Sequence, residues 1–223
     1  DHPERLEWLG GLLRGARVSA DAWLLGPWLG SDISVAERLR ERVGLPLGES
    51  SSAPGGAAGA RFDRARDRLL AETAVKRLAL RVVRIERSGT EWRIFGEHSD
   101  LAADAVVLAV GGVAAGGVVL TQDLDTGPRG FRLALELDAR VTVDGDSAGE
   151  ASSLFGPDFA ASGFGVLERV GVELSSEGLV RSAGGVTLPS ISAAGDCVAG
   201  RPRSLLEAVR SGCAAARAVL SAP

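Results

Sequence analysis

Apolar positions three and four apart open the chain: Leu6, Leu9, Leu12 and Leu13 within RLEWLGGLLR (5–14). This period predicts a helix, although Gly10 and Gly11 each weaken it by about 1 kcal/mol. DAWLLGP (21–27) reads as a short buried strand closed by Gly26-Pro27. A second helix is expected over 34–43. Ser34 is its N-cap, Glu37 stands three residues on as a capping box requires, and Gly44 is the C′ residue. GESSSAPGGAAGA (48–60) has the composition of a flexible loop, either a surface linker or a loop whose backbone approaches a ligand. Residues 61–73 are strongly helical and laced with charge.

The period then shortens. RLALRVVRIER (77–87) and EWRIFG (91–96) read as strands, with SGT between them marking a hairpin. DAVVLAVGG (104–112) is a continuous apolar run before two glycines, the pattern of a parallel strand buried on both faces. Residues 116–165 are rich in Gly, Asp and Ser and predict a smaller, partly antiparallel region, with short strands at 131–137 and 140–143. GVELSSEGLVR (171–181) reads as strand, turn and strand. SISAAGDCVAG (190–200) ends a buried strand on Gly195-Asp196. A helix over 203–219 follows, with Leu206, Val209, Cys213, Ala216 and Leu220 on one apolar face.

Composition narrows the classes. The 223 residues are 45% apolar and 24% charged, ordinary for a globular protein with a sizeable core. A net charge of −4, with no basic cluster among aromatics, argues against nucleic acid and anionic membrane as partners. Cys197 and Cys213 form no C-x-x-C and have no His/Cys cluster beside them. Neither a metal site nor a disulfide framework is therefore expected, and a reducing compartment is the default. No apolar run is long enough to span a bilayer, and DHPERLEWLGG lacks the charged and apolar regions of a signal peptide. The absence of Met, with Asp1 first, suggests a processed start or a piece of a longer chain.

Two motifs carry candidate chemistry. Gly111-Gly112 after the run at 104–110 is either a tight turn or a point where backbone approaches a ligand beyond the carboxyl end of a strand. Asp196 after Gly195 either caps a turn or accepts hydrogen bonds from a polyol, while the free N–H groups of the helix starting near 203–206 favour an anion. Arg201 and Arg203 flank Pro202 ahead of that helix; they meet a substrate or cofactor phosphate, or are simply solvated. Cys197 reads as a small buried residue rather than a redox thiol, and His98 in GEHSD as a solvated loop residue. No catalytic base is assigned.

Together, DAVVLAVGG and ISAAGD…SLLEAVRSG resemble flavoproteins built on a dinucleotide-binding fold. LLGPWLG (24–30), AERLRERVGLPLGE (36–49), GARFDRARDRLL (59–70), ADAVVLAVGGVAAGGVV (103–119), GVELSSEGLVR (171–181) and SISAAGDCVAG (190–200) occur in the order of one family. The chain is similar to the family of the B subunit of anaerobic glycerol-3-phosphate dehydrogenase, over its carboxyl-terminal half to two-thirds. Gly116-Gly117 matches that family's Gly-rich stretch. The resemblance implies an α/β fold, a partial FAD/NAD(P)-binding Rossmann-like parallel sheet with a smaller mixed β region. Three segments follow from it: 1–115, the α/β part with a hairpin; 116–182, a substrate or cap-like region; and 183–223, the flavin-binding strand and last helix. It implies FAD, or FMN, held by Gly111, Gly112, Gly195, Asp196 (on the ribityl chain), Ser204 and Leu205. It also implies oxidation of glycerol 3-phosphate, with electrons passed to a quinone through partner subunits, in a cytoplasmic protein peripheral to the inner face of the membrane.

The departures are specific. Ala109-Val110-Gly111 stands where the family has Ala-Thr-Gly, and AGRPRS (199–204) replaces a Gly-aromatic-Asp-Pro run. The Gly-x-Gly-x-x-Gly turn that receives a dinucleotide pyrophosphate is absent from the sequence. The absent Gly-x-Gly-x-x-Gly, the altered AVGG and the lack of a histidine near the motifs favour a second reading, a non-catalytic flavoprotein-like scaffold without tight cofactor binding. A nicotinamide-dependent reductase would need a second Gly-rich βαβ unit, and none is visible.

Overall fold

A computed structural model describes residues 2–16, 19–26, 28–30, 32, 34–50, 56–121, 130–143, 146–147 and 169–221. They form two compact units, Asp1–Leu78 and Ala79–Pro223.

The first unit contains α1 (Pro3–Gly15), β1 (Trp23–Leu25), α2 (Val35–Val43), β2 (Leu47–Glu49) and α3 (Ala57–Glu72). β1 and β2 pair in parallel, with Leu24 opposite Gly48. β1 is not the buried strand its composition suggests: with one pairing partner among the described strands, it leaves Leu24 74% exposed. Leu6, Leu29, Val35, Leu39 and Val43 make the core of this unit. Leu12, expected on the inner face of α1, is exposed. Gly10 is buried there instead: a Cβ on it would lie 3.2 Å from Arg42 Cβ, so this glycine lets α1 approach α2. Gly44 ends α2 at φ 73°, donating its N–H to Arg40 O, as its position in the sequence predicts. The other end of α2 differs from expectation. Ser34 makes no capping bond; its N–H and hydroxyl both donate to Asp32 Oδ1, at 2.8 Å. Of the loop expected over 48–60, residues 51–55 lie outside the described residues, and α3 begins at Ala57.

The second unit carries four small sheets among its described residues. β3 (Val82–Ser88), β4 (Glu91–Gly96) and β5 (Asp100–Ala103) form an antiparallel meander. The hairpin is as expected, with Gly89 at φ 65° in its turn, but 77–81 is not strand and β5 carries no sequence signal. β6 (Val106–Leu108) pairs in parallel with β13 (Thr187–Ala193), and β12 (Leu179–Arg181) lies antiparallel on the other side of β13. β7 (Val118–Thr121) pairs with β8 (Gly130–Leu133), which stops short of the 137 expected for it. β9 (Val141–Val143) lies between β10 (Asp146–Ser147) and β11 (Val170–Val172). A 3-10 turn (Gly195–Cys197) and α4 (Leu205–Ser221) follow β13. The rest of the region expected over 116–165, at 122–129, 144–145 and 148–165, lies outside the described residues.

The fold is α/β, with a mixed sheet whose parallel pair joins 106–108 to 191–193. This pairing ties 79–115 to 183–223, and the boundaries expected at 115 and 182 fall inside one unit. Two expectations are corrected. β6 is not buried on both faces: among the described strands it lies at its sheet's edge, and Val107 is exposed. α4 does not turn its apolar stripe inward: Leu206 is 83% and Leu220 84% exposed, while Ser211 and Ala215 are buried. The reason is bulk. α4 packs on β13, whose last two residues are Ser192 and Ala193, and small facing side chains allow that approach.

Candidate functional site

The carboxyl ends of β6 and β13 bring the two sequence motifs into contact. Ile191, Ser192 and Ala193 stand opposite Val106, Val107 and Leu108, and Ala194 N–H donates to Leu108 O at 2.8 Å. Parallel pairing makes both strands finish at the same edge, so Gly111-Gly112 meets Gly195-Asp196. The approach is close: a Cβ on Gly112 would lie 2.6 Å from the carbonyl oxygen of Asp196. Gly117 closes against the same turn, where a Cβ would collide with the carbonyl oxygens of Val110 and Gly111. Gly111 and Gly195 hold φ of 82° and 71°, a region costly for any residue with a Cβ.

Gly195 is fixed by α4. Its N–H donates to Ser211 Oγ at 2.9 Å, and the Ser211 hydroxyl donates in turn to Glu207 O at 2.7 Å. Space is open where a Cβ of Gly195 would point. Beside it the Asp196 side chain is exposed, with no hydrogen-bond or ion-pair partner among the described residues. A carboxylate in that position is an acceptor available to a ligand's hydroxyl groups.

The remaining predicted residues divide. Ser204 Oγ accepts Glu207 N–H at 3.2 Å, an N-cap to α4. The Ser-x-x-Glu pattern was the available signal for that role. Leu205 begins α4 and is exposed. Arg203 is used internally: it donates to Val198 O at 3.0 Å and Val170 O at 2.8 Å, clamping the segment after the motif to β11. Arg201 is exposed and lines a cavity of about 470 Å³ with Thr142, Glu173, Ser175 and Gly200. Thr142 is fully buried, and its hydroxyl has no hydrogen-bond partner among the described residues. This orphaned hydroxyl is not visible from sequence, because a threonine in a short strand carries no signal of what its side chain faces. Glu173 on the same cavity is ion-paired with Arg140 at 3.2 Å and Arg181 at 3.5 Å.

Cys197 is fully buried, its sulfur 3.2 Å from Ala194 O and 3.3 Å from Leu108 O. Burial pushes its thiol above the ordinary value, which disfavours the reactive thiolate. His98 is exposed after β4.

No protein-family model matches the chain, and no curated protein does. Among solved structures it is similar to a ferredoxin-flavin thioredoxin reductase from Clostridium acetobutylicum, at 14% identity over 90% of this chain and 96% of that one, with a TM-score of 0.41. It is also similar to the thioredoxin reductase of T. acidophilum, at 11% identity over 90% of this chain and 97% of that one, with a TM-score of 0.41.

Proposed function

We propose that this protein is a flavin-dependent oxidoreductase, or part of one, and that the β6–β13 edge holds the polyol part of the flavin. The observation that carries this reading is the contact of Gly112 with Asp196 at the ends of two parallel strands, with the Asp196 carboxylate left free. The residues fit a polyol: an unpaired acceptor stands beside a glycine over open space. Asp196 would accept ribityl hydroxyls and Gly195 would leave room for the ligand to approach the backbone, while Gly111 and Gly112 close the turn that packs against Ala115 and Asp196. A flavin, when bound, supplies a hydride acceptor for alcohol oxidation. FAD is the form the resemblance implies. FMN is the alternative.

For substrate the proposal is a small polyol phosphate, glycerol 3-phosphate in the form that the sequence resemblance implies. Arg201 would meet the phosphate, and the orphaned Thr142 hydroxyl stands in the same cavity. Electron transfer to a quinone through partner subunits belongs to the same proposal. Among the described residues, no helix is long and apolar enough to cross a membrane; attachment at the inner membrane face through such partners is part of the same proposal.

The test is flavin uptake. Full-length protein is titrated with FAD and with FMN, following flavin fluorescence. Saturable binding is expected, and Asp196→Ala should weaken it by about 1.5–3 kcal/mol, the range for hydrogen bonds to a charged group. Unchanged affinity in that variant removes Asp196 from the site. If neither flavin binds, the second reading holds: a flavoprotein-like scaffold. The observation favouring that reading is the internal use of Arg203 and Ser204, whose polar groups serve backbone and cap.

A further inference from the structure

The first unit contains a cavity of about 700 Å³ whose lining includes Arg5, Leu6, Trp8, Trp28, Leu29 and Val35. Its floor is aliphatic and closed: Leu6, Leu29 and Val35 are buried. Its sides are two indoles, Trp8 at 66% and Trp28 at 58% exposure. Arg5 and Trp8 are three residues apart on α1, so they share a face of the helix. The Arg5 guanidinium has no hydrogen-bond or ion-pair partner among the described residues.

The wall that carries Trp28 is held in place from behind. Leu29 N–H donates to Glu49 Oε1 at 2.9 Å, and Arg61 donates to Leu29 O at 2.6 Å while pairing with Glu49. That ion pair is largely buried, so both of its charges are committed to fixing the 28–30 segment. The indole of Trp28 lies over Gly26, where a Cβ would collide with its Nε1. Two indoles, a fixed wall, an aliphatic floor and the Arg5 guanidinium are the parts of a small-molecule site.

We propose that this cavity binds a planar aromatic anion, with its rings against Trp8 and Trp28 and its carboxylate or sulfonate on Arg5. The charge of Arg5 selects the anion, and the two indoles select a flat ring over a flexible chain. The site lies within the first unit and does not depend on flavin binding in the second.

The test uses the full chain at pH 7 with 2-naphthoate and 2-naphthol, which share a ring system and differ in charge, followed by isothermal titration calorimetry. One saturable site is expected, with naphthoate bound at least about fivefold more tightly, as one charge-assisted contact allows. Arg5→Gln should bring the two ligands within about twofold of each other once that contact is gone. Trp28→Ala should weaken both at least about tenfold by removing an aromatic wall. If that variant does not fold, Trp8→Ala carries the same expectation. Absence of saturable binding, or a preference for naphthoate that survives Arg5→Gln, overturns the proposal. So does a result in which naphthoate fails to bind but phosphatidylcholine vesicles shift the tryptophan emission, since that would make the patch a membrane surface.

Discussion

Cys197 and Cys213 carry the same side chain in opposite surroundings. Cys197 sits at the meeting of the two glycine motifs with its sulfur against two carbonyls, while Cys213 is exposed on α4. Burial raises the Cys197 thiol above its ordinary value of 9.0. The sign follows: the folded state holds this proton more tightly than the unfolded state does. The stabilisation is complete below pH 9.0 and is lost as pH rises from there towards the folded-state value. Between those limits the slope approaches about 1.4 kcal/mol per pH unit. Urea midpoints measured from about pH 7.5 to about 10.5 should therefore fall more steeply for the wild type than for Cys197→Ala. Parallel slopes would show that Cys197 ionises as readily in the folded chain as in the unfolded one. In the native protein a thiol reagent should modify Cys213 alone.

Among the elements, α4 separates what sequence reveals from what it conceals. Its existence, its start near Ser204 and its place after a Gly-Asp turn follow from local pattern. Its inward face does not. The stripe Leu206, Val209, Cys213, Ala216 and Leu220 has the stronger hydrophobic pattern, yet the helix turns Ser211 and Ala215 to the sheet. Two pairwise facts decide this, and neither is visible in the helix itself: β13 ends in small side chains, and Gly195 N–H needs the Ser211 hydroxyl. The same division holds elsewhere. The C′ role of Gly44 and the hairpin at Gly89 depend on neighbours in sequence and are legible there. β5 depends on pairing with β4, and the orphaned hydroxyl of Thr142 on what surrounds it, so neither is. At the candidate site, sequence singles out Gly112 and Asp196, which the fold brings into contact, but not that Arg203 is consumed by the carbonyls of Val198 and Val170. The orientation of α4 is testable by urea unfolding. Leu206→Gln should change stability by less than about 0.5 kcal/mol, as for an exposed position. Ala215→Leu should cost about 1–3 kcal/mol by overpacking. The reverse ranking would mean that the apolar stripe faces the sheet.

At the scale of the whole molecule, the described residues form two cores, and an irregular, exposed connection runs along the chain between the two units. Leu6, Leu29, Val35, Leu39 and Val43 form one core; the other includes Leu108, Val118, Val170, Ile191 and Cys197. From Thr73 to Arg81 the chain has no helix or strand; Thr73 through Ala79 are exposed, and Leu80 is half-buried. A protease needs an extended, accessible segment, and such a segment costs least to present where backbone hydrogen bonds and buried contacts are few. Trypsin has three targets in this connection: Lys76, Arg77 and Arg81. The arginines of α3 are mostly exposed too, but its backbone is held in a helix that must open before it can be cut. Among the described residues, the earliest tryptic cuts should therefore fall after Lys76, Arg77 or Arg81, as read by mass spectrometry at short digestion times. The fragment from β3 onward should then resist further cutting within the meander, because β3 is paired with β4 and β4 with β5, and Ile85 and Trp92 are buried in the second core. Early cuts between Val82 and Ala103 would contradict both the meander and the division of the chain at Leu78.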